Sequence, residues 1–358
     1  MKIGFADTLY SSSKENTREK WFDNSRRAGA SIARIDAFWR SIAPSKPLTP
    51  TNPNDPAYNW GTLDGAVADA NAAGLDPLLT VSLAPSWAEG PNRPGSAAPG
   101  TWKPDADAYG DFARALATRY GSQVRYYQAW NEPNIFSFLN PQYEGGELVG
   151  SDIYRRLLNA FYDNVNAVDG TAKVISAGTA PYGDEPGGRR TRPLTFIRDL
   201  LCLNAQNEPS PSCNTKAKFD ALAHHPINTT GGPKVSAAHP DDVSTPDVKN
   251  VVKALRKAEQ ARTPATDGRH DVWLTEFWWE TNPPDACTGV PVKTQKHWIG
   301  QALRSFERQG ASVAINYLIR DQKYNRDTGC GRTTFQTGAF FDNGKKKPSF
   351  RAFKTYAR

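Results

Sequence analysis

The sequence predicts an α/β protein built as a closed eight-unit barrel, a (β/α)8 or TIM barrel, as a single domain over residues 1–358. Three observations predict it. Eight short apolar runs alternate strictly with eight longer stretches of helical periodicity, the pattern of parallel strands joined by crossover helices. The segments after the runs are long and rich in Pro, Gly and Trp, whereas those after the helices are short, as expected if one face of the barrel carries the loops. Finally, 358 residues at 38% hydrophobic and 23% charged suffice for a large core, and barrels of this kind reach such lengths with loop insertions. A doubly wound open sheet would also alternate, but its nucleotide-binding form needs a Gly-rich loop after the first strand, and none is present.

The elements read in order as follows. Ile3–Ala6 is the first run, and Met1–Phe5 reads as the opening of that strand rather than as a leader segment. Thr17–Ala28 is helical and stops at Gly29. Ser31–Asp36 is the second run, and the helix Trp60–Ala73 stops at Gly74, glycine being the usual residue just past a helix end. Pro77–Leu83 is the third run. Asp105–Tyr120 carries Tyr109, Phe112, Ala113, Leu116 and Tyr120 on one face, a helical stripe. Val124–Trp130 is the fourth run, followed by Ser151–Val168 with Ser151 as its expected cap. Lys173–Ala177, Phe219–Ala223, Asp271–Thr275 and Ala311–Leu318 are the remaining runs. Their helices are Leu194–Leu203, Asp247–Ala261, Lys293–Gln309 and Lys347–Ala357.

Composition bounds the function. The net charge is +7, with basic clusters at Gly188–Arg192 and Lys345–Lys347. No nucleic-acid motif accompanies them, so they read as solvated surface, with an acidic polysaccharide as a possible partner. No run approaches the roughly 18 apolar residues of a membrane span. The four cysteines form no C-x-x-C pair and no zinc-finger spacing with His, so neither metal nor cofactor is expected. Cys202 and Cys213 bracket a polar loop, and Cys287 and Cys330 lie in two Gly/Pro-rich loops after late runs. Pairing Cys202–Cys213 and Cys287–Cys330 implies an oxidising, extracytoplasmic location; four free thiols in a reducing compartment is the alternative.

Chemistry concentrates at two run ends. The fourth run closes on Trp130-Asn131-Glu132-Pro133-Asn134, and the seventh on Thr275-Glu276-Phe277-Trp278-Trp279. A carboxylate at the end of a buried strand needs a partner or a purpose. Two such groups are the minimum equipment for cleaving a glycosidic bond with retention. These motifs resemble those of the large clan of retaining glycoside hydrolases that carry their catalytic glutamates on strands four and seven of a (β/α)8 barrel, and are most similar to families 39, 5 and 51. The resemblance implies Glu132 as general acid/base and Glu276 as nucleophile. A surface salt bridge is the bland reading of either Glu alone.

The resemblance also implies that Asn131 donates to a sugar 2-hydroxyl and that Arg34, on the second run, holds the nucleophile ionised. An ion pair with Asp36 is the simpler role for Arg34. Strand alternation puts His225, rather than His224, on the inner face with Ala221 and Ala223. Relatives carry Tyr after the His-Pro that follows the sixth run; Ile227 stands there instead, which leaves Tyr317 as the candidate donor to Glu276. Of ten tryptophans, Trp39, Trp87, Trp102, Trp278 and Trp279 fall in or beside loops after runs, where flat aromatic faces stack on sugar rings. Trp278 and Trp279 are the strongest candidates, and Trp298 reads as core.

The expected activity is a monomeric O-glycosyl hydrolase acting on a polysaccharide or oligosaccharide. A transglycosylase would use the same two residues, and a catalytically silent carbohydrate-binding barrel would need neither.

Overall fold

The computed structural model describes residues 1–228, 231–327, 330 and 334–357. Residues 229–230 and most of 328–333, parts of two expected loops, lie outside this set.

Eight parallel strands close into a barrel: β1 Lys2–Ala6, β2 Ile32–Phe38, β3 Asp76–Ser82, β4 Tyr126–Ala129, β5 Lys173–Ser176, β6 Ala221–His224, β7 Asp271–Phe277 and β8 Ala311–Tyr317. Each pairs with its neighbours in sequence, and β1 closes the ring against β8. The helices are α1 Glu15–Ala28, α2 Gly61–Ala72, α3 Ala106–Tyr120, α4 Gly150–Asn166, α5 Pro193–Leu200, α6 Val248–Ala261, α7 Val292–Arg308 and α8 Ser349–Tyr356. All eight expected units are present, with shifted ends. The sixth run moves from Phe219–Ala223 to Ala221–His224, which brings the two histidines to the strand terminus. Ser151 is not the cap of α4: the helix starts at Gly150, and the Ser151 hydroxyl bonds Asp199 instead.

Period-two alternation splits each strand between two cores. Ala6, Ile32, Leu78, Tyr126, Ile175, Ala221, Ala223, Trp273, Val313 and Ile315 fill the barrel interior. Their sequence neighbours join a larger outer core beneath the helices, including Phe5, Ile35, Leu79, Tyr127, Val174, Leu222 and Leu274. That layering leaves the upper barrel interior to polar side chains: Arg34, Thr80, Gln128, Thr275 and His225 are all buried there.

Both disulfides pair as expected, with Cα–Cα distances of 5.4 Å for Cys202–Cys213 and 5.5 Å for Cys287–Cys330. The second ties the loop after β7 to the loop after β8. Lys347 strengthens that tie, since its Nζ donates to Asp321 Oδ1 at 2.6 Å, Thr281 Oγ1 at 2.8 Å and the Gln336 carbonyl at 2.9 Å. Lys347 is therefore buried, not part of a solvated basic face. In the other basic cluster Arg189 lies over the Phe136 ring, Arg190 pairs with Asp184, and Arg192 pairs with Asp242 and Glu185. No helix among the described residues is long and apolar enough to cross a membrane.

Candidate active site

Glu132 and Glu276 meet at the C-terminal mouth of the barrel through two departures from strand alternation. On β4, Tyr126 and Gln128 point inward and Tyr127 and Ala129 outward, so Trp130 should face in and Asn131 out. Trp130 instead takes a left-handed backbone, φ 78°, which is costly for a bulky residue. Its indole swings into the outer core, edge-on to Tyr109, with Nε1 donating to the Phe138 carbonyl at 2.9 Å. Asn131 and Glu132 are thereby both turned to the mouth. Asn134, the last residue of the motif, staples this turn to the loop after β5. Its Nδ2 donates to the Ala180 and Thr191 carbonyls and its Oδ1 accepts from Ala180 N.

On β7 the device is a bulge. Leu274 pairs with Ala314 and Phe277 with Asn316, so Thr275 and Glu276 together oppose the single Ile315. An extra residue in one strand re-aims the side chains around it. Thr275 and Glu276 accordingly both face the interior.

Arg34 is the hub between them. Its Nη1 donates to Glu276 Oε2 at 3.0 Å and to the Thr275 carbonyl at 3.2 Å. Its Nη2 donates to Asn131 Oδ1 at 2.7 Å, and its Nε to Thr80 Oγ1 at 3.0 Å. The contact to Asp36 is longer, 3.7 Å, so of these two carboxylates only Glu276 is hydrogen-bonded to the guanidinium, while the charge of Asp36 adds to the field that keeps Arg34 protonated. Because guanidinium only donates, Asn131 must present Oδ1 to it, which turns the Nδ2 donor away from Arg34.

The two carboxyls are held differently. Glu132 accepts from His225 Nδ1 at 2.9 Å. Burial pushes its carboxyl up to about 7, offset in part by Arg34. Glu276 is also raised by burial, but the Arg34 charge and a direct hydrogen bond from Arg34 oppose the shift, while the charge of Glu132 adds to it. Burial lowers His225 to about 3, so its contact with Glu132 is a hydrogen bond from a neutral imidazole, not an ion pair.

His225 thus serves Glu132, whereas Tyr317 was the candidate donor to Glu276. Tyr317 is half-buried and edge-on to Phe335 at 5.1 Å, close enough for the Glu276 charge, with burial, to raise its hydroxyl. Among the described residues no hydrogen bond joins the two, and Arg34 is the donor to that carboxylate. His224 turns outward and bonds Thr179 Oγ1 and the Val243 carbonyl.

The tryptophans divide. Trp39 is fully buried, packed against Trp87, Tyr109 and Phe112, and has no face to offer a sugar; β2 runs straight into a short helix, Trp39–Ile42, that turns it under the sheet. Trp87 is half-buried with Nε1 on the Ala43 carbonyl. Trp279 packs on Phe277 and Trp298 with Nε1 on the Gly231 carbonyl. Trp278 lies edge-on to Phe335, the ring that also meets Tyr317. It is therefore the member of the pair nearer the mouth, though only 6% exposed.

Sequence reasoning missed Thr80, Gln128, Thr275 and Gly178. A Cβ at Gly178 would overlap the His225 ring and lie 2.8 Å from Thr275 Oγ1, and the Gly178 carbonyl accepts from Glu132 N at 3.0 Å. A glycine just past β5 was the available signal. Among the described residues, the one acidic group with metal-like spacing is Glu15, Glu19 and Asp69. It sits on α1 and α2, with Asp69 already paired to Arg18 at 2.7 Å.

No protein-family model matches the chain, and no curated protein matches it. Solved structures do. A family 39 glycoside hydrolase from the gut symbiont Bacteroides cellulosilyticus superposes with a TM-score of 0.70 at 20% identity, covering 99% of this chain and 63% of that one. A monomeric beta-xylosidase from Caulobacter crescentus gives 0.60 at 18% identity, covering 99% and 66%. A GH5_18 protein from Bifidobacterium longum subsp. infantis gives 0.62 at 15%, covering 100% and 78%. The architecture is shared with glycoside hydrolases of families 39 and 5. The chain spans slightly less than two thirds of the length of the first two of these proteins. At such identities the likeness establishes the barrel; the chemistry rests on the site.

Proposed function

We propose that the chain is a retaining glycoside hydrolase with Glu276 as nucleophile and Glu132 as acid/base. The observation that carries this reading is the unequal treatment of two neighbouring carboxyls. Arg34 holds Glu276 toward its ionised form, while Glu132, bonded by a neutral imidazole, is pushed up to about 7. Paired groups with separated affinities for a proton are what acid and base roles require.

In the first step a Glu276 oxygen bonds the anomeric carbon, the glycosidic C–O bond breaks, and the proton of Glu132 passes to the leaving oxygen. In the second, Glu132, now a carboxylate, takes a proton from water as the water oxygen attacks the same carbon and frees Glu276. Arg34 occupies Oε2 of Glu276, which leaves Oε1 as the attacking oxygen. Asn131, with Oδ1 committed to Arg34, offers Nδ2 to the sugar 2-hydroxyl, a bond that strengthens at the transition state. Tyr317, Trp278 and Trp87 are the aromatic candidates for lining the sugar site. The two disulfides favour an extracytoplasmic location, and a monomer acting alone on carbohydrate is the simplest assembly.

The test is product analysis on a panel of plant and microbial polysaccharides, with the wild type beside Glu276→Ala. Sugar released only by the wild type supports the reading; oligosaccharides longer than the substrate would redirect it to transglycosylation, and release by both proteins would remove Glu276 from the mechanism.

A further inference from the structure

Arg34 and Glu132 are connected through the barrel interior by a continuous run of hydrogen bonds. Donor chemistry fixes the direction of each. Arg34 Nε can only donate, and it meets Thr80 Oγ1 at 3.0 Å. Thr80 passes its own proton to Gln128 Oε1, also at 3.0 Å. The amide orientation of Gln128 is set independently, because Nε2 faces the Ser176 carbonyl at 3.0 Å and a carbonyl only accepts. The second hydrogen of Nε2 goes to Thr275 Oγ1 at 2.9 Å. Thr275, having accepted there, has a proton to give. Among the described residues the other partner at its oxygen is His225 Nε2, at 3.0 Å.

His225 Nε2 must therefore accept, and the imidazole proton sits on Nδ1, which donates to Glu132 Oε1 at 2.9 Å. The opposite tautomer would make Nε2–H a second donor to Thr275 Oγ1 and leave that hydroxyl's own proton without an acceptor among the described residues, a costly defect when buried. Thr80, Gln128, Thr275 and His225 are all fully buried, so bulk water does not redirect the chain. The ionisable groups facing this end are Arg34, Glu276 and, on the outer side, His224.

We propose that this chain locks His225 as the Nδ1–H tautomer and so confines the acid proton of Glu132 to Oε2, making Gln128 and Thr275 positioning residues for the acid/base. The inference rests on the reading of Glu132 as acid/base. Oε1 accepts from His225 in both protonation states, so the proton that reaches the leaving oxygen is carried on Oε2. Once it has gone, the Nδ1–H bond stays in place to steady the carboxylate that activates water. Each glutamate then has one oxygen committed to the protein, Oε2 of Glu276 and Oε1 of Glu132, and one left for the reaction.

The experiment is long-range 15N–1H NMR on 15N-histidine-labelled protein, which separates protonated from unprotonated ring nitrogens. The chain has five histidines, and His225→Gln assigns the relevant pair. The expected wild-type result is a protonated Nδ1 and a bare Nε2 at neutral pH. Thr275→Val keeps the shape and removes the proton given to Nε2, so the tautomers should mix; Thr275→Ser should restore the single form. With an aryl glycoside cleaved by the wild type, Thr275→Val should lower kcat about tenfold or more for a poor leaving group. It should have little effect on kcat/KM for a dinitrophenyl glycoside, whose leaving group departs without a proton, and Thr275→Ser should recover the loss. A wild-type Nε2–H tautomer, or a Thr275→Val spectrum identical to wild type, would overturn the proposal. The spectra need no substrate, so a protein with the expected tautomer that cleaves nothing would sink the glycosidase reading instead.

Discussion

Thr275 and Glu276 are adjacent on β7, yet both side chains point into the barrel, one to His225 and Gln128 and the other to Arg34. The bulge opposite Ile315 makes this possible. Without it, alternation would send Glu276 outward with Leu274 and turn Phe277 inward. The bulge is thus the element that turns Glu276 inward, and Arg34 is the charge that holds it there.

Arg34→Met should leave the Glu276 carboxyl buried without its cation. Removing one partner of a buried pair costs roughly 3–5 kcal/mol, so thermal unfolding should shift down well beyond a surface substitution. kcat/KM should fall by at least about a hundredfold, because a carboxyl whose pKa rises further is no longer a nucleophile at neutral pH. Calorimetry and steady-state kinetics on the same preparation check both.

Gly178→Ala should act on Glu132 without touching it. The new methyl would collide with the His225 ring, so either the ring or the loop must move. The expected result is a loss of kcat with leaving-group dependence, at a stability cost of about 1–3 kcal/mol for overpacking. Unchanged kcat would mean that His225 has slack that the structure does not suggest.

The pH dependence has a definite sign. In the folded protein Glu132 titrates at about 7, above the ordinary 4.5. The folded state therefore holds this proton more tightly than the unfolded chain. That contribution to stability is complete below about pH 4.5 and is lost as the pH rises through 7. Glu132→Gln, neutral at every pH, should gain on the wild type across that window by at most about 3 kcal/mol. Chemical denaturation at pH 4.5 and 8 measures the difference. The same group should give the wild-type activity profile a falling basic limb near pH 7.

Reduction of the disulfides should separate two contributions. The bridges close loops with sequence separations of 11 and 43, worth up to about 3 and about 4 kcal/mol by loop-closure entropy. The pair Cys287→Ser with Cys330→Ser should therefore lower Tm more than Cys202→Ser with Cys213→Ser. It should also loosen the loops after β7 and β8, although Lys347 still ties them through Asp321 and Thr281.

The barrel was legible in the sequence because strand and helix periods are local. Each apolar run and each helical stripe announced itself within a dozen residues, and errors were confined to the ends. Glu132 and Glu276 were legible because their motifs are contiguous. The inward turn of His225 followed from period two along β6. Its partner did not, since whether an imidazole meets Glu132 or Glu276 depends on the positive φ at Trp130 and the bulge on β7, neither of which leaves a mark on the pattern. Trp39 was misplaced for a related reason. A residue just past a strand looks like loop, but the turn of helix that follows β2 carries it under the sheet. Gln128 and Thr275 were overlooked because a buried polar residue within a strand declares its purpose only when its partners on other strands are in place.

The stereochemistry of the first-formed product tests the central claim most directly. Proton NMR during the opening minutes of hydrolysis, on whichever panel substrate the wild type cleaves, reports the anomeric configuration before mutarotation equilibrates it. Two displacements through Glu276 require the released sugar to keep the configuration of the bond that was cut. An inverted product would mean that water attacks directly, and Glu276 would be a base rather than a nucleophile.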